Sequence, residues 1–124
     1  MMKSADLALV LTGVMLNAAA QLLLKAGARA ISGVEFSAAN AWTLAERIAI
    51  NPPILLGLVL YGISVVFWIL ALSRVDVSIA YPMLSIGYIV SALAGWLLFS
   101  ESVGPARIAG ILVIIAGVWL VARS

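Results

Sequence analysis

Charged positions divide the chain into long uncharged stretches joined by short polar segments. Four stretches stand out: Leu7–Leu24, Ile48–Ser73, Val77–Ser100 and Ile108–Ala122, of 18, 26, 24 and 15 residues. A helix that crosses a hydrocarbon core of about 30 Å needs about 20 residues. The first three pass unaided, and the fourth passes if its helix begins near Gly104–Pro105 and Arg107 snorkels to the headgroups. An amphipathic soluble helix would carry charge at every turn of its polar face, and none of these does. The pattern predicts an all-α fold, a four-helix transmembrane bundle in one integral membrane domain over 1–124. The expected spans are about 5–25, 52–73, 77–100 and 104–122.

The joints carry their own signals. Asn51 is placed to cap the second helix, with Pro52 in its first position. Ser102 is the expected cap of the fourth, with Pro105 in the first turn. Ser73–Asp76 and Glu101–Gly104 are short enough to force antiparallel neighbours. The exception is the stretch from Ala26 to Ile50. There Ala38, Ala41, Trp42, Ala45 and Ile48 repeat at helical spacing, while Asn40, Thr43, Glu46 and Arg47 fall opposite. This predicts a short interfacial amphipathic helix over about 37–50, with Trp42 among the headgroups. A plain tether and a gate over a lipid entrance both fit it.

Composition agrees with the pattern: 65% of the residues are hydrophobic and 10% charged, where a soluble domain carries about 25% charged residues. The formal net charge of +2 comes from basic residues scattered over helix ends, so a nucleic-acid footprint is lacking. Lys3, Arg74 and Arg123 would share one side of the membrane, and Lys25, Arg29, Arg47 and Arg107 the other. Three against four is a weak positive-inside bias that leaves orientation open, dual topology included. Lys3 followed by an apolar run and Ala18-Ala19-Ala20 imitates a secretory signal. Asp6 in the basic region, with Asn17 and Gln21 beside the small residues, weighs against cleavage.

Polar groups at membrane depth are costly, so the few present are informative. In the first helix Gly13, Asn17, Gln21 and Lys25 step by four, with Arg29 a turn further if the helix continues. In the third, Ser78, Tyr81, Ser85 and Tyr88 recur on one face, continuing into Ala92 and Gly95. Pro82 within that face predicts a kink, which membrane helices tolerate only against protein or a watered cavity. The second helix adds Gly57, Tyr61, Ser64 and Trp68. The two polar stripes can line a path, or they can be interhelical hydrogen bonding that holds the bundle together. Gly110 and Gly117, seven apart beside Ala109 and Ala116, mark the fourth helix as a packing or dimer surface.

Asp6, Asp76 and Glu101 lie at span ends, and the chain has neither His nor Cys. A proton-coupled exporter of cations wants a buried carboxylate. Metal sites and nucleophilic triads also lack their parts, so no metal or cofactor is expected and an enzyme is disfavoured.

The chain resembles the small multidrug resistance family of the drug/metabolite transporter superfamily. Val75–Ser100 followed by Gly104–Ser124 looks like that family's last two helices, and GILVIIAGV at Gly110–Val118 is similar to its helix-four dimerisation motif. VDVSIAYPMLS at Val75–Ser85 closely resembles the flippase subunits for undecaprenyl-phosphate-linked aminoarabinose. AQLLLKA at Ala20–Ala26 carries their Gln four residues before a Lys. The multidrug exporters carry an essential Glu eight residues before a helix-one Lys, and that position here is Asn17. The resemblance therefore implies a flippase more than a cation exporter, and the loop 26–50 is longer than in either group.

The expectation is an EamA-like translocase of the bacterial inner membrane for a polyprenyl-phosphate-linked sugar. Lys25, with Arg29, would bind the phosphate. Asn17, Gln21, Tyr81, Ser85 and Tyr88 would hydrogen-bond the sugar, and Tyr61 and Trp68 would flank the path. Membrane lipid surrounds it, and the working unit would be a homodimer or a heterodimer with a paralogue. Export of a small soluble molecule, and a non-transporting subunit that scaffolds a glycosyltransferase, are the alternatives.

Overall fold

A computed structural model describes residues 3–124. It contains α1 (Ser4–Ala30), a single 3-10 turn (Ala38–Asn40), α2 (Ala41–Ala49), α3 (Pro52–Leu72), α4 (Val77–Met83), α5 (Ser85–Leu98) and α6 (Pro105–Arg123). α4 and α5 together form one span, Val77–Leu98, so four helical spans are long and apolar enough to cross a membrane. The fold is the expected all-α bundle, with the short α2 between the first two spans.

α1 is the longest helix and does not stop at Lys25. Its Ala- and Leu-rich sequence propagates a helix well, and it ends only at Ile31, before the Ser32-Gly33 turn. Arg29 therefore stands on α1, one turn beyond Lys25. Asp6 occupies the first turn and Arg29 the last, the charge order that complements a helix dipole.

α3 begins as the sequence requires. Asn51 is buried, its side-chain oxygen accepts a hydrogen bond from Ile54 N at 3.2 Å, and Pro52 follows in the first turn. Its amide nitrogen also donates to Gly27 O on α1 at 3.0 Å. One side chain thus caps α3 and ties it to α1. The two helices run closely together: a Cβ at Gly57 would lie 3.0 Å from Ala20 O and 3.1 Å from Leu24 side-chain atoms. At Gly27 a Cβ would run into Ile54 Cγ1 and approach Asn51 Oδ1 to 2.8 Å. Glycine at these two positions is what lets the backbones approach.

The Ser102 cap is a correction. The residue preceding α6 is Gly104, in an extended conformation, and no side chain caps this helix. Ser102 instead offers its carbonyl to Arg107 Nη1 at 2.6 Å. That contact folds the guanidinium back on the loop, which satisfies it at the helix entrance. Pro105 sits in the first turn as expected.

The buried cluster Val10, Val14, Ala71, Val75, Ala80 and Met83 gathers α1, α3 and α4 at the end near the Ser73–Asp76 turn. Ile79, Leu84, Val118 and Ala122 pack on it. α6 leans on α4 and α5 with every residue at least partly exposed. Leu112, Val113, Trp119 and Leu120 are all about 60% exposed or more. For such surface lipid, not water, is the compatible solvent. The chain is an integral, multi-pass membrane protein.

Candidate substrate groove

α1, α3 and the α4–α5 span leave a groove between them, made of three hollows in line. The first, about 160 Å³, is lined by Gly13 and Asn17 of α1, Tyr61, Ser64 and Trp68 of α3, and Tyr81. The next, about 250 Å³, shares Asn17, Tyr61 and Leu84 with it and adds Gln21, Gly87, Tyr88 and Ser91. The last, about 170 Å³, shares Gln21 and Ser91 with the second and opens at Lys25, Gly95, Phe99 and Glu101. Shared walls make this one corridor running along α1.

Each wall has a local cause. The four-residue steps of α1 bring Gly13, Asn17, Gln21 and Lys25 onto one slowly curling stripe. Ser64, which is buried, donates its hydroxyl to Tyr61 O at 2.6 Å within α3. This removes its polarity from the apolar interior and leaves the Tyr61 and Trp68 side chains to the corridor. Trp68 meets Tyr81 edge to face, with centroids 5.4 Å apart and planes at 85°, closing one end with an aromatic pair.

The third span is interrupted just after Pro82. α4 ends at Met83 and α5 begins at Ser85. Pro82 supplies no amide hydrogen for the carbonyl of Ser78, and the chain crosses the break on tighter bonds, Leu84 N to Tyr81 O and Gly87 N to Leu84 O, both 3.0 Å. Tyr81, Leu84, Gly87, Tyr88 and Ser91 fall within one arc of about 120° at helical spacing, with Ser85 on its flank; Leu84, Gly87, Tyr88 and Ser91 face the corridor, and Ser85 stays half-buried outside its lining. Ser78 is exposed.

The remaining site candidates fall as follows. Asn17, Gln21, Lys25, Tyr61, Trp68, Tyr81 and Tyr88 all line the corridor. Arg29 lies beside its mouth, its guanidinium 5.4 Å from the centroid of the Phe99 ring. Gly110 and Gly117 face open space on α6. Two groups escaped the sequence reading. Ser91 lies three residues after Tyr88 and four before Gly95, a spacing that could have found it. Glu101 reads as a loop residue, and only the tertiary fold sets its carboxylate 3.6 Å from Lys25 Nζ.

Among the described residues two ion pairs mark the two ends of α1. Arg74 Nη1 lies 3.9 Å from Asp6 Oδ1 at one end, and Lys25 pairs with Glu101 at the other. Asp6 and Lys25 are nineteen positions apart, about 28 Å along a helix axis. That separation matches a hydrocarbon core of about 30 Å. The charges therefore lie at the two membrane faces, and uncharged amides, hydroxyls and aromatic rings lie between them. Among the described residues no group of three His, Cys, Asp or Glu gathers to hold a metal.

Residues 30–114 match the family described as Small Multidrug Resistance protein. The chain is 40% identical over 87 residues to the probable 4-amino-4-deoxy-L-arabinose-phosphoundecaprenol flippase subunit ArnE of Pseudomonas aeruginosa, covering 70% of this chain and 73% of the relative. The protein of the same name from Pseudomonas paraeruginosa is 37% identical over the same shares. That from Salmonella paratyphi B is 40% identical over 63 residues, 51% of this chain and 57% of the relative. No solved structure matches the chain.

Proposed function

We propose that this chain, which belongs to the small multidrug resistance family and is a membrane transporter rather than an enzyme, moves a polyprenyl-phosphate-linked sugar between the leaflets of a bacterial inner membrane. The observation that carries this reading is the corridor itself. It runs about 18 Å along α1 from Gly13 to Lys25, carries amides, hydroxyls and aromatic rings among apolar walls, and opens at the cation Lys25. A lipid phosphate at the membrane face is the partner that a cation there is suited to hold. Arg29, one turn beyond, strengthens the positive field at the same mouth. The sugar's hydroxyls take hydrogen bonds from Asn17, Gln21, Tyr81, Tyr88 and Ser91, while the polyprenyl tail stays in lipid outside the groove.

The names of the relatives support the substrate class, and Asn17 supports the choice against cation export. A proton-coupled exporter in this family places a carboxylate where Asn17 stands, and an amide cannot alternate between proton and cation. The working unit is a dimer. Three hollows of about 160, 250 and 170 Å³ in a single chain are narrow for a sugar phosphate. α6 offers Gly110 and Gly117, with nothing within 4 Å of either, for close approach of a second helix.

Lys25→Met tests the reading. The full chain, with its paralogue if one is encoded beside it, is reconstituted in liposomes carrying a lipid-linked aminosugar, and transfer is followed by chemical labelling of the outward-facing headgroup. A hydrogen bond to a charged group is worth about 1.5–3 kcal/mol, so flipping should fall roughly tenfold to a hundredfold. Flipping at the original rate removes Lys25 from the phosphate site. A chain that moves no lipid-linked sugar but accumulates a cation against a pH gradient is an exporter instead.

A further inference from the structure

Glu101 is held at the corridor mouth by the backbone as well as by its charge. After α5 the chain reverses through Ser100, the one non-glycine residue with positive φ among those described, at 54°. A left-handed residue at this point is the usual way a helix end is turned back, but serine adopts it against its own preference. The reversal is closed by Phe99 N and Glu101 N, both donating to Gly95 O at 3.1 Å. It brings the Glu101 side chain down over the last turn of α5. There its carboxylate lies on Gly95, where a Cβ would come within 2.6 Å of Oε1 and 3.1 Å of Cδ. The other oxygen, Oε2, is the one 3.6 Å from Lys25 Nζ. An αL serine, a glycine seat and an ion pair across the mouth thus place this one carboxylate on the cation that faces the lipid headgroups.

A bare lysine at a membrane face would be taken by any phospholipid phosphate, which surrounds it in vast excess over a carrier lipid. We propose that Glu101 is a specificity-determining residue: it occupies Lys25 in the empty transporter, as an internal competitor for anions. A phosphate displaces it only when the rest of the headgroup also engages the corridor at Gln21 and Ser91. This inference rests on the reading of Lys25 as the phosphate site. The pair is suited to the task because both side chains are about half exposed, 52% and 42%. An ion pair in such a setting is weak enough to open and still tips the balance against a lipid that offers only its phosphate.

The test is native mass spectrometry of the full chain taken from liposomes of phosphatidylcholine and phosphatidylglycerol, with an undecaprenyl-phosphate-linked aminosugar as the carrier-lipid probe. Glu101→Gln keeps the shape and removes the competing charge. Retained phosphatidylglycerol should rise roughly twofold to fivefold, the range an exposed ion pair is worth, and the preference for the lipid-linked aminosugar should narrow. The gain should vanish in the double variant Glu101→Gln with Lys25→Met. Gly95→Ala makes the same test without touching a charge, since the atoms its methyl displaces are the mobile tip of Glu101, and it should give a gain of the same sign. If neither variant retains more phosphatidylglycerol while binding of the lipid-linked aminosugar still depends on Lys25, the inference fails and the transport reading survives. If the lipid-linked aminosugar binds equally well to Lys25→Met, both fall.

Discussion

Replacing Gly27 by alanine adds one methyl group where α1 crosses the start of α3. That methyl would run into Ile54 Cγ1, approach Asn51 Oδ1 to 2.8 Å and Ile54 N to 3.1 Å. The last two are backbone and cap atoms, which cannot swing aside as a side-chain tip can. Three terms decide the outcome. Alanine is the better helix former by up to about 1 kcal/mol. Overpacking a filled interior costs about 1–3 kcal/mol. Moving Asn51 loosens its cap on Ile54 N and its bond to Gly27 O, and loss of such a cap costs about 1 kcal/mol. The sum is a loss of about 2 kcal/mol. Gly62→Ala is the control, because Gly62 lies within α3 with nothing within 4 Å of its Cβ position, so only the propensity term applies. Both variants are unfolded by increasing sodium dodecyl sulfate in dodecylmaltoside micelles, with helicity read by far-ultraviolet circular dichroism. Gly62→Ala should match or exceed the parent, and Gly27→Ala should unfold at distinctly lower denaturant. Equal midpoints for the two would refute the argument that glycine at position 27 is what permits the α1–α3 approach.

Two further predictions follow from single side chains. Asn51→Ala removes the α3 cap and the bond to Gly27 O together, and leaves that carbonyl buried; a loss of about 2 kcal/mol is expected in the same titration, with Asn51→Asp recovering the cap but not the cross-helix bond. Pro82→Ala restores an amide donor for Ser78 O and lets α4 and α5 join; stability should hold or rise while lipid-sugar flipping falls several-fold, because the tighter bonds that cross the break at Leu84, a residue of the corridor wall, would give way to regular helical ones. Unchanged flipping in that variant would show that the break does not shape the path.

What could be read along the chain was whatever depends on the solvent and on near neighbours in sequence. The lengths of the uncharged stretches set the four spans, because backbone in lipid must satisfy its own hydrogen bonds and only a helix does so locally. Asn51 before Pro52 marked the start of α3, since a cap acts within four residues. The α1 stripe of Gly13, Asn17, Gln21 and Lys25 was legible because helical periodicity is local. The same logic misjudged two places. Ser102 has the right chemistry for a cap, but the loop there is extended and Gly104 precedes the helix. Ser85 has a helical spacing from Tyr81 and Tyr88, but the stripe that lines the corridor steps through Tyr81, Leu84, Tyr88 and Ser91, which leaves Ser85 on its flank.

The tertiary structure decided what crosses between helices. Gly27 is one glycine among ten in the sequence with nothing local to mark it, and Gly57 shares a face with Tyr61, Ser64 and Trp68; the neighbours that make each a close-approach point exist only once α1 lies on α3. Ser91 becomes a lining residue because Gln21 stands opposite it. Glu101, far from Lys25 along the chain, meets it through a left-handed turn at Ser100 and an empty seat at Gly95. Hydropathy and periodicity are one-dimensional and follow from a residue's immediate neighbours. A carboxylate poised on a cation across a groove is a property of α1, α5 and the turn after α5 together, and for that reason only the assembled bundle contains it.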